Sequence, residues 1–72
     1  MRIKLRALGT IRQYTDDVEL EVEPNITCGS LLKNLKLPEF GILVFVNGVS
    51  ADLNKILNEP CEVTILTLVR GG

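Results

Sequence analysis

The chain ends in Arg70-Gly71-Gly72, and a free diglycine carboxylate is a group on which chemistry can be done. Glycine has no Cβ, so a Gly-Gly end threads extended into a channel too narrow for any side chain. Until something holds such an end it stays mobile. At ordinary glycine usage two such residues close a chain by accident about once in 200 cases, so the motif gains weight only if a folded base precedes it. Residues 62–69, β-branched and apolar, read as a strand that runs straight into the glycines with no linker. On these residues the chain is a scaffold that presents the Gly72 carboxylate, with Arg70 and Gly71 as the part that threads.

Other chemistries are poorly provided for. The chain has no histidine and two cysteines, Cys28 and Cys61, which do not stand at the spacing of metal ligands. Without histidine no Cys-His or Ser-His pair can be built, and the carboxylates are scattered singly through polar segments instead of being paired beside an apolar pocket. Intrinsic catalysis is therefore not expected, and neither is a bound metal. The cysteines read as small buried or half-buried residues in a reducing compartment, with a disulfide or a thiol relay as the alternative.

At 72 residues there is room for one domain, near the lower limit for a core that holds without staples. A hydrophobic fraction of 46% beside 24% charged residues is the balance of a globular chain. A net charge of −1, with acids and bases interspersed and only one Tyr and two Phe to stack on bases, argues against a nucleic-acid partner. The apolar run at 42–46 is far short of a membrane span, and the first residues lack the charged-then-apolar pattern of a leader. A cytoplasmic protein with no membrane contact is expected.

The elements that must position the tail follow from periodicity. Residues 1–8 alternate, with Ile3, Leu5 and Ala7 on one face and Arg2, Lys4, Arg6 and Leu8 on the other, which predicts a half-buried strand. After a polar, turn-rich stretch at 9–17, Val18, Leu20 and Val22 alternate with Glu19, Glu21 and Glu23, giving a hairpin with acids opposite bases. Pro24-Asn25 breaks it, Thr27 can cap a helix, and Cys28, Leu31, Leu32 and Leu35 make one helical face that Pro38 and Gly41 terminate. The continuous apolar run at 42–46 is of the kind found in strands covered on both faces and predicts a central or covered strand. Asn47-Gly48 makes a tight reversal into a short pairing segment at 49–51, and Leu53, Ile56 and Leu57 predict a short helical turn before Pro60. The fold class is α+β, a mixed sheet of four or five strands with one main helix packed across one face.

If the last strand inserts parallel to the first, ladder bonds on both sides hold the base of the tail. In that strand Val63, Ile65, Thr67 and Val69 share one face, and Leu66 and Leu68 the other. Leu8 falls outward on the neighbouring strand, so Leu8, Leu66 and Leu68 form a candidate partner-docking patch beside the reactive end. The basic row Arg2, Lys4 and Arg6 reads mainly as a solvated face paired with the acidic second strand.

The opening residues 3–12 (IKLRALGTIR), the capped helix, the Val46-Asn47-Gly48 turn and the closing Val69-Arg70-Gly71-Gly72 together resemble the ubiquitin-like β-grasp sulfur carriers of the MoaD/ThiS family. The likeness spans the whole chain, and Thr-Ile-Arg after the first strand is more similar to the MoaD branch. The resemblance implies a carrier, not an enzyme. A partner with an ATP site, of the ubiquitin-activating kind, adenylates the Gly72 carboxylate, and a sulfur donor displaces AMP to leave a thiocarboxylate. No cofactor is bound; ATP is consumed by the partner. In the MoaD-like case the tail enters a larger synthase subunit and gives its sulfur to a pterin precursor of the molybdenum cofactor. The ThiS-like case supplies the thiazole of thiamin, and tRNA thiolation or transfer to protein amines are further acceptors. The chain lacks the proline pair and the Gly-Asp turn of many MoaD-like tails, having Thr67-Leu68 and Pro60-Cys61 instead, and Arg70 before the glycines resembles ubiquitin itself. A module that binds partners through its leucine face alone, without covalent chemistry, is the competing reading. The expected organisation is one domain over 1–72, with 70–72 as a flexible tail.

Overall fold

A computed structural model describes residues 1–38 and 41–67. The described elements are β1 (Arg2–Leu8), a short 3-10 helix (Gly9–Gln13), β2 (Val18–Glu21), β3 (Ile26–Thr27), α1 (Cys28–Asn34), β4 (Ile42–Val46), β5 (Val49–Ala51), β6 (Ile56–Leu57) and β7 (Cys61–Thr67). Five strands form one sheet in the order β2-β1-β7-β4-β5, and β3 pairs with β6 separately. β1 and β7 are parallel over six residue pairs, from Ile3 with Cys61 to Leu8 with Leu66. On its other edge β7 runs antiparallel to β4, from Val46 with Val63 to Ile42 with Thr67. The expected insertion of the last strand beside the first is thus present, and β7 is the middle strand of the sheet.

Alternation decides which face of the sheet is covered. Ile3, Leu5, Ala7, Val44, Val63 and Ile65 point inward and meet Leu31, Leu32 and Cys28 of α1, with Ile11, Leu37 and Leu57 closing the cluster. No polar or charged side chain among the described residues is buried in this core. The hairpin of β1 and β2 places Arg2 opposite Glu21 and Lys4 opposite Glu19. Arg2 lies 3.4 Å from Glu21, an exposed pair worth under about 1 kcal/mol. Its role is register more than stability.

α1 is bounded by chemistry legible in the residues. The Thr27 hydroxyl accepts the Ser30 N–H at 3.1 Å, the expected cap. The first N–H groups of a helix lack intrahelical partners, and here Cys28 and Gly29 donate to the carbonyls of Lys55 and Leu53 at 2.9 and 2.8 Å. At the other end Lys36 takes φ +59, while Lys36 N–H bonds the Lys33 carbonyl and Leu37 N–H the Leu32 carbonyl. This left-handed stop usually carries glycine. Lys36→Gly should therefore raise stability by about 0.5–1 kcal/mol, read as a higher urea midpoint; a lower midpoint would show that the lysine stem contributes packing.

Three expectations are corrected. Residues 9–13 are a 3-10 helix that buries Ile11 completely, where the sequence reads as a polar, turn-rich stretch with no buried residue named, because the single apolar Ile11 among polar neighbours has no visible period. Ile56 and Leu57 pair with Thr27 and Ile26 as a strand and do not form a helical turn, since the segment's carbonyls are needed by the start of α1. β4 is an internal strand, between β7 and β5, as expected, but it is covered on one face only, leaving Leu43 39% exposed. The Asn47-Gly48 reversal is present as expected, with φ +51 and +83 joining β4 to β5. Asn47 also ties the turn to β7, its Oδ1 accepting the Glu62 N–H at 2.9 Å.

Candidate functional site

The site lies at the end of the sheet where β7 delivers the chain toward Gly72. Leu66 is paired with Leu8 of β1 and Leu43 of β4 and so is held from both sides, while Thr67 is paired with Ile42 of β4 alone. Leu68, Arg70, Gly71 and Gly72, all singled out from the sequence, lie outside the described residues. What the fold places is their base.

The 3-10 helix is packed against that base. Beyond Leu5, opposite Val18, β1 has no β2 partner, and side chains take over: Ala7 N–H donates to Asp17 Oδ1 at 2.9 Å, and Arg12 Nη1 donates to the Ala7 carbonyl at 2.9 Å. Arg12 and Asp17 stand 3.4 Å apart. This clasp, with Ile11 buried beneath it, fixes the turn that follows β1. Sequence reasoning missed both residues, because side chains five positions apart share no strand or helix face.

The outward face changes character along the strands. At the end remote from the tail it carries Arg2, Glu19 and Glu21, then Lys4, then Arg6, which lies 4.0 Å from Glu62. At the tail end the register sets Leu8, Leu66 and Leu43 side by side on three adjacent strands, with Phe45 one row behind, opposite Thr64. Leu8 is 40% exposed and Leu43 39%, while Leu66 is half-buried between them. Leu8 and Leu66 are thus brought together as the sequence predicts. Leu43 completes the row and was missed, because a run of apolar residues hides its own alternation.

Among the described residues no group of three His, Cys, Asp or Glu could hold a metal. The thiols sit elsewhere: Cys28 is buried at the first position of α1 and Cys61 half-buried at the start of β7, both free. Cys61 precedes Thr67 by six residues, about 20 Å of strand. Burial pushes both thiols up from the ordinary value of 9.0, with Cys61 adding to the shift of Cys28 and Glu59 to that of Cys61. They are therefore protonated, poor nucleophiles at neutral pH. The expected small buried or half-buried thiols are what the fold contains. No described helix is long and apolar enough to cross a membrane. The arrangement can present a group and offer an apolar surface beside it.

Comparisons with known proteins agree with this geometry. A model of the ThiS family matches residues 5–72, and no curated protein matches the chain. Among solved structures, SAMP1 from Haloferax volcanii superposes with a TM-score of 0.74 at 18% identity over 100% of both chains. A protein described as molybdopterin converting factor, subunit 1, from Pyrococcus furiosus gives 0.76 at 18% identity, over 94% of this chain and 98% of that one. A ubiquitin of Caldiarchaeum subterraneum gives 0.68 at 24% identity, over 100% of this chain and 98% of its own. At such identities the likeness establishes the fold, a ubiquitin-like β-grasp.

Proposed function

The chain belongs to the ThiS family, and on that premise we propose that it is a sulfur carrier whose Gly72 carboxylate is adenylated by a partner enzyme and converted to a thiocarboxylate. The observation that carries this reading is the placement of β7: the middle strand of the sheet, paired with β1 as far as Leu66 and with β4 as far as Thr67, beside the outward row Leu8, Leu66 and Leu43. A carrier needs a rigid base, a docking surface next to it and no chemistry of its own.

The steps follow from carboxylate chemistry. The Gly72 carboxylate attacks the α-phosphorus of ATP on the partner and pyrophosphate leaves, so that a carboxylate oxygen becomes part of a phosphate leaving group. A persulfide of the sulfur donor then attacks the carbonyl carbon and expels AMP. A thiol cleaves the resulting acyl disulfide, leaving the terminal thiocarboxylate. No side chain of the carrier takes part, in keeping with a chain that has no histidine. The leucine row is the surface on which the activating enzyme rests, and Arg70 and Gly71 thread the carboxylate into its ATP site.

For the acceptor we favour a larger synthase subunit of the molybdopterin type, on the resemblance of residues 3–12 to the MoaD branch and the shared fold of the Pyrococcus protein. The test is the intact mass of the untagged chain after incubation with ATP, an activating enzyme of this class and a sulfur donor. A gain of about 16 Da, one oxygen replaced by sulfur, is expected. An unchanged mass with no AMP formed across several such activators would leave the leucine face as a non-covalent binding surface. Formation of AMP without gain of sulfur would instead favour transfer to protein amines, the reading that the ubiquitin-like neighbours and Arg70 support.

A further inference from the structure

We propose that the free edge of β2 takes up an extended segment of a partner protein in which apolar and basic residues alternate, and that this segment joins the sheet as a further strand over the cleft between β2 and α1. The proposal goes beyond the carrier reading and does not depend on it.

Among the described residues β2 is the outermost strand of the sheet on one side, so one of its edges has no partner there. Which backbone groups face outward follows from the register. Met1 and Val22 exchange two bonds, the Met1 amine donating to the Val22 carbonyl at 2.7 Å and the Val22 N–H to the Met1 carbonyl at 2.9 Å. Bonded and non-bonded pairs alternate along an antiparallel ladder, so Leu20 and Val18, opposite Ile3 and Leu5, also turn their backbone groups toward β1. The N–H and C=O of Glu19 and Glu21 therefore point away from the sheet, and such a row is a template for an added strand.

The two faces of that edge specify what an added strand must carry. On the α1 face Val18 is 39% exposed, and Leu20, Val22, Ile26 and Leu35, each half-buried, line a cleft of about 360 Å³. On the other face Glu19 and Glu21 stand beside Arg2, yet their side chains stay 62% and 69% exposed. An occupant needs apolar side chains opposite Val18, Leu20 and Val22, and bases opposite Glu19 and Glu21. The inner edge of β2 is already matched in this way by Met1-Arg2-Ile3-Lys4-Leu5. The outer edge calls for a second strand of the same pattern.

A second copy of this chain is a poor occupant. Its free edges among the described residues are β2 and β5. Two β2 edges would set glutamates against glutamates, and Val49–Ala51 of β5 carries no base. The leucine row lies on the opposite face of the sheet from the cleft, so both surfaces can be filled together.

The probe is a blocked peptide, Ser-Ile-Arg-Ile-Lys-Ile-Ser, titrated into the full isotope-labelled chain and followed by NMR, with Ser-Ile-Ile-Arg-Lys-Ile-Ser as a control of equal composition and broken alternation. At saturation the alternating peptide is expected to slow hydrogen exchange of the Glu19 and Glu21 amides at least about tenfold, and to shift the methyl signals of Leu20, Val22 and Leu35. The control should bind at least about tenfold more weakly, since a strand out of register turns its apolar side chains to the wrong face. Glu21→Gln keeps the outward N–H and should weaken binding about two- to fivefold, the worth of one exposed ion pair. Glu21→Pro removes that N–H at an edge position where proline is tolerated, and should weaken binding at least about tenfold. Should Glu21→Pro fail to fold, the control peptide and Glu21→Gln still decide. Equal affinity for the two peptides, or unchanged Glu19 and Glu21 amides at millimolar peptide, would overturn the proposal. So would slowed exchange at these amides on concentrating the chain without peptide, which would make the edge a contact between copies.

Discussion

Deletion of Gly72 should abolish ATP-dependent activation altogether and leave the melting temperature within about 1 °C of wild type. The core and both ladders of β7 are complete by Thr67, so removing the terminal residue subtracts no buried contact of the described fold. It does take away the carbon that must carry the leaving group, and Gly71 as the new end is one residue, about 3.5 Å, too short to reach the same phosphorus. A C-terminal extension should have the same effect by converting the carboxylate to an amide. The measurement is AMP release against a thermal melt on the same sample. Leu66→Asp is the complementary change: it places a charge in the middle of the outward row and should raise KM for the activating enzyme at least tenfold, because a desolvated carboxylate has no partner there. If instead Gly72 deletion left function intact while Leu66→Asp destroyed it, the non-covalent module would be the correct reading.

Ile65→Ala should cost about 2–5 kcal/mol, the usual range for removing a large aliphatic side chain from a packed core. Ile65 is fully buried and lies between Ala7 and Val44 on the inward face of the middle strand. A domain of this length has only about 4–11 kcal/mol of stability in all. The variant should therefore be partly unfolded at 37 °C, and its sulfur-accepting activity should fall in proportion to the folded fraction. A denaturation midpoint in urea measures the loss. A change under about 1 kcal/mol would mean that the core collapses around the cavity and that the base of the tail is softer than its ladder implies.

These expectations draw on residues whose roles were unequally legible. The alternation of Ile3, Leu5 and Ala7 with Arg2, Lys4 and Arg6 is visible because one face is apolar and the other charged, and β1 follows directly. Thr27 as a cap and Asn47-Gly48 as a reversal are legible for a similar reason: each is a local device whose chemistry lies within four residues. Leu43 was invisible. Its neighbours are apolar on both sides, so the strand shows no period, and only the pairing of β4 with β7 reveals that Leu43 stands outward next to Leu66. Ile56 and Leu57 were misread because two apolar residues satisfy a helix turn as well as a strand. What settled them was the need of Cys28 and Gly29 for carbonyl partners.

The sequence by itself determined the class of fold and the inward set of side chains, and it supplied the reading of Gly71-Gly72 as the group to be presented, because periodicity and turn chemistry are local properties. Tertiary structure decided the rest: that β7 lies between β1 and β4, that Leu8, Leu66 and Leu43 form one row, and that Arg12 and Asp17 clasp Ala7. Each of these joins residues far apart in the chain or on different elements, and such contacts exist only once the strands have chosen their neighbours and register.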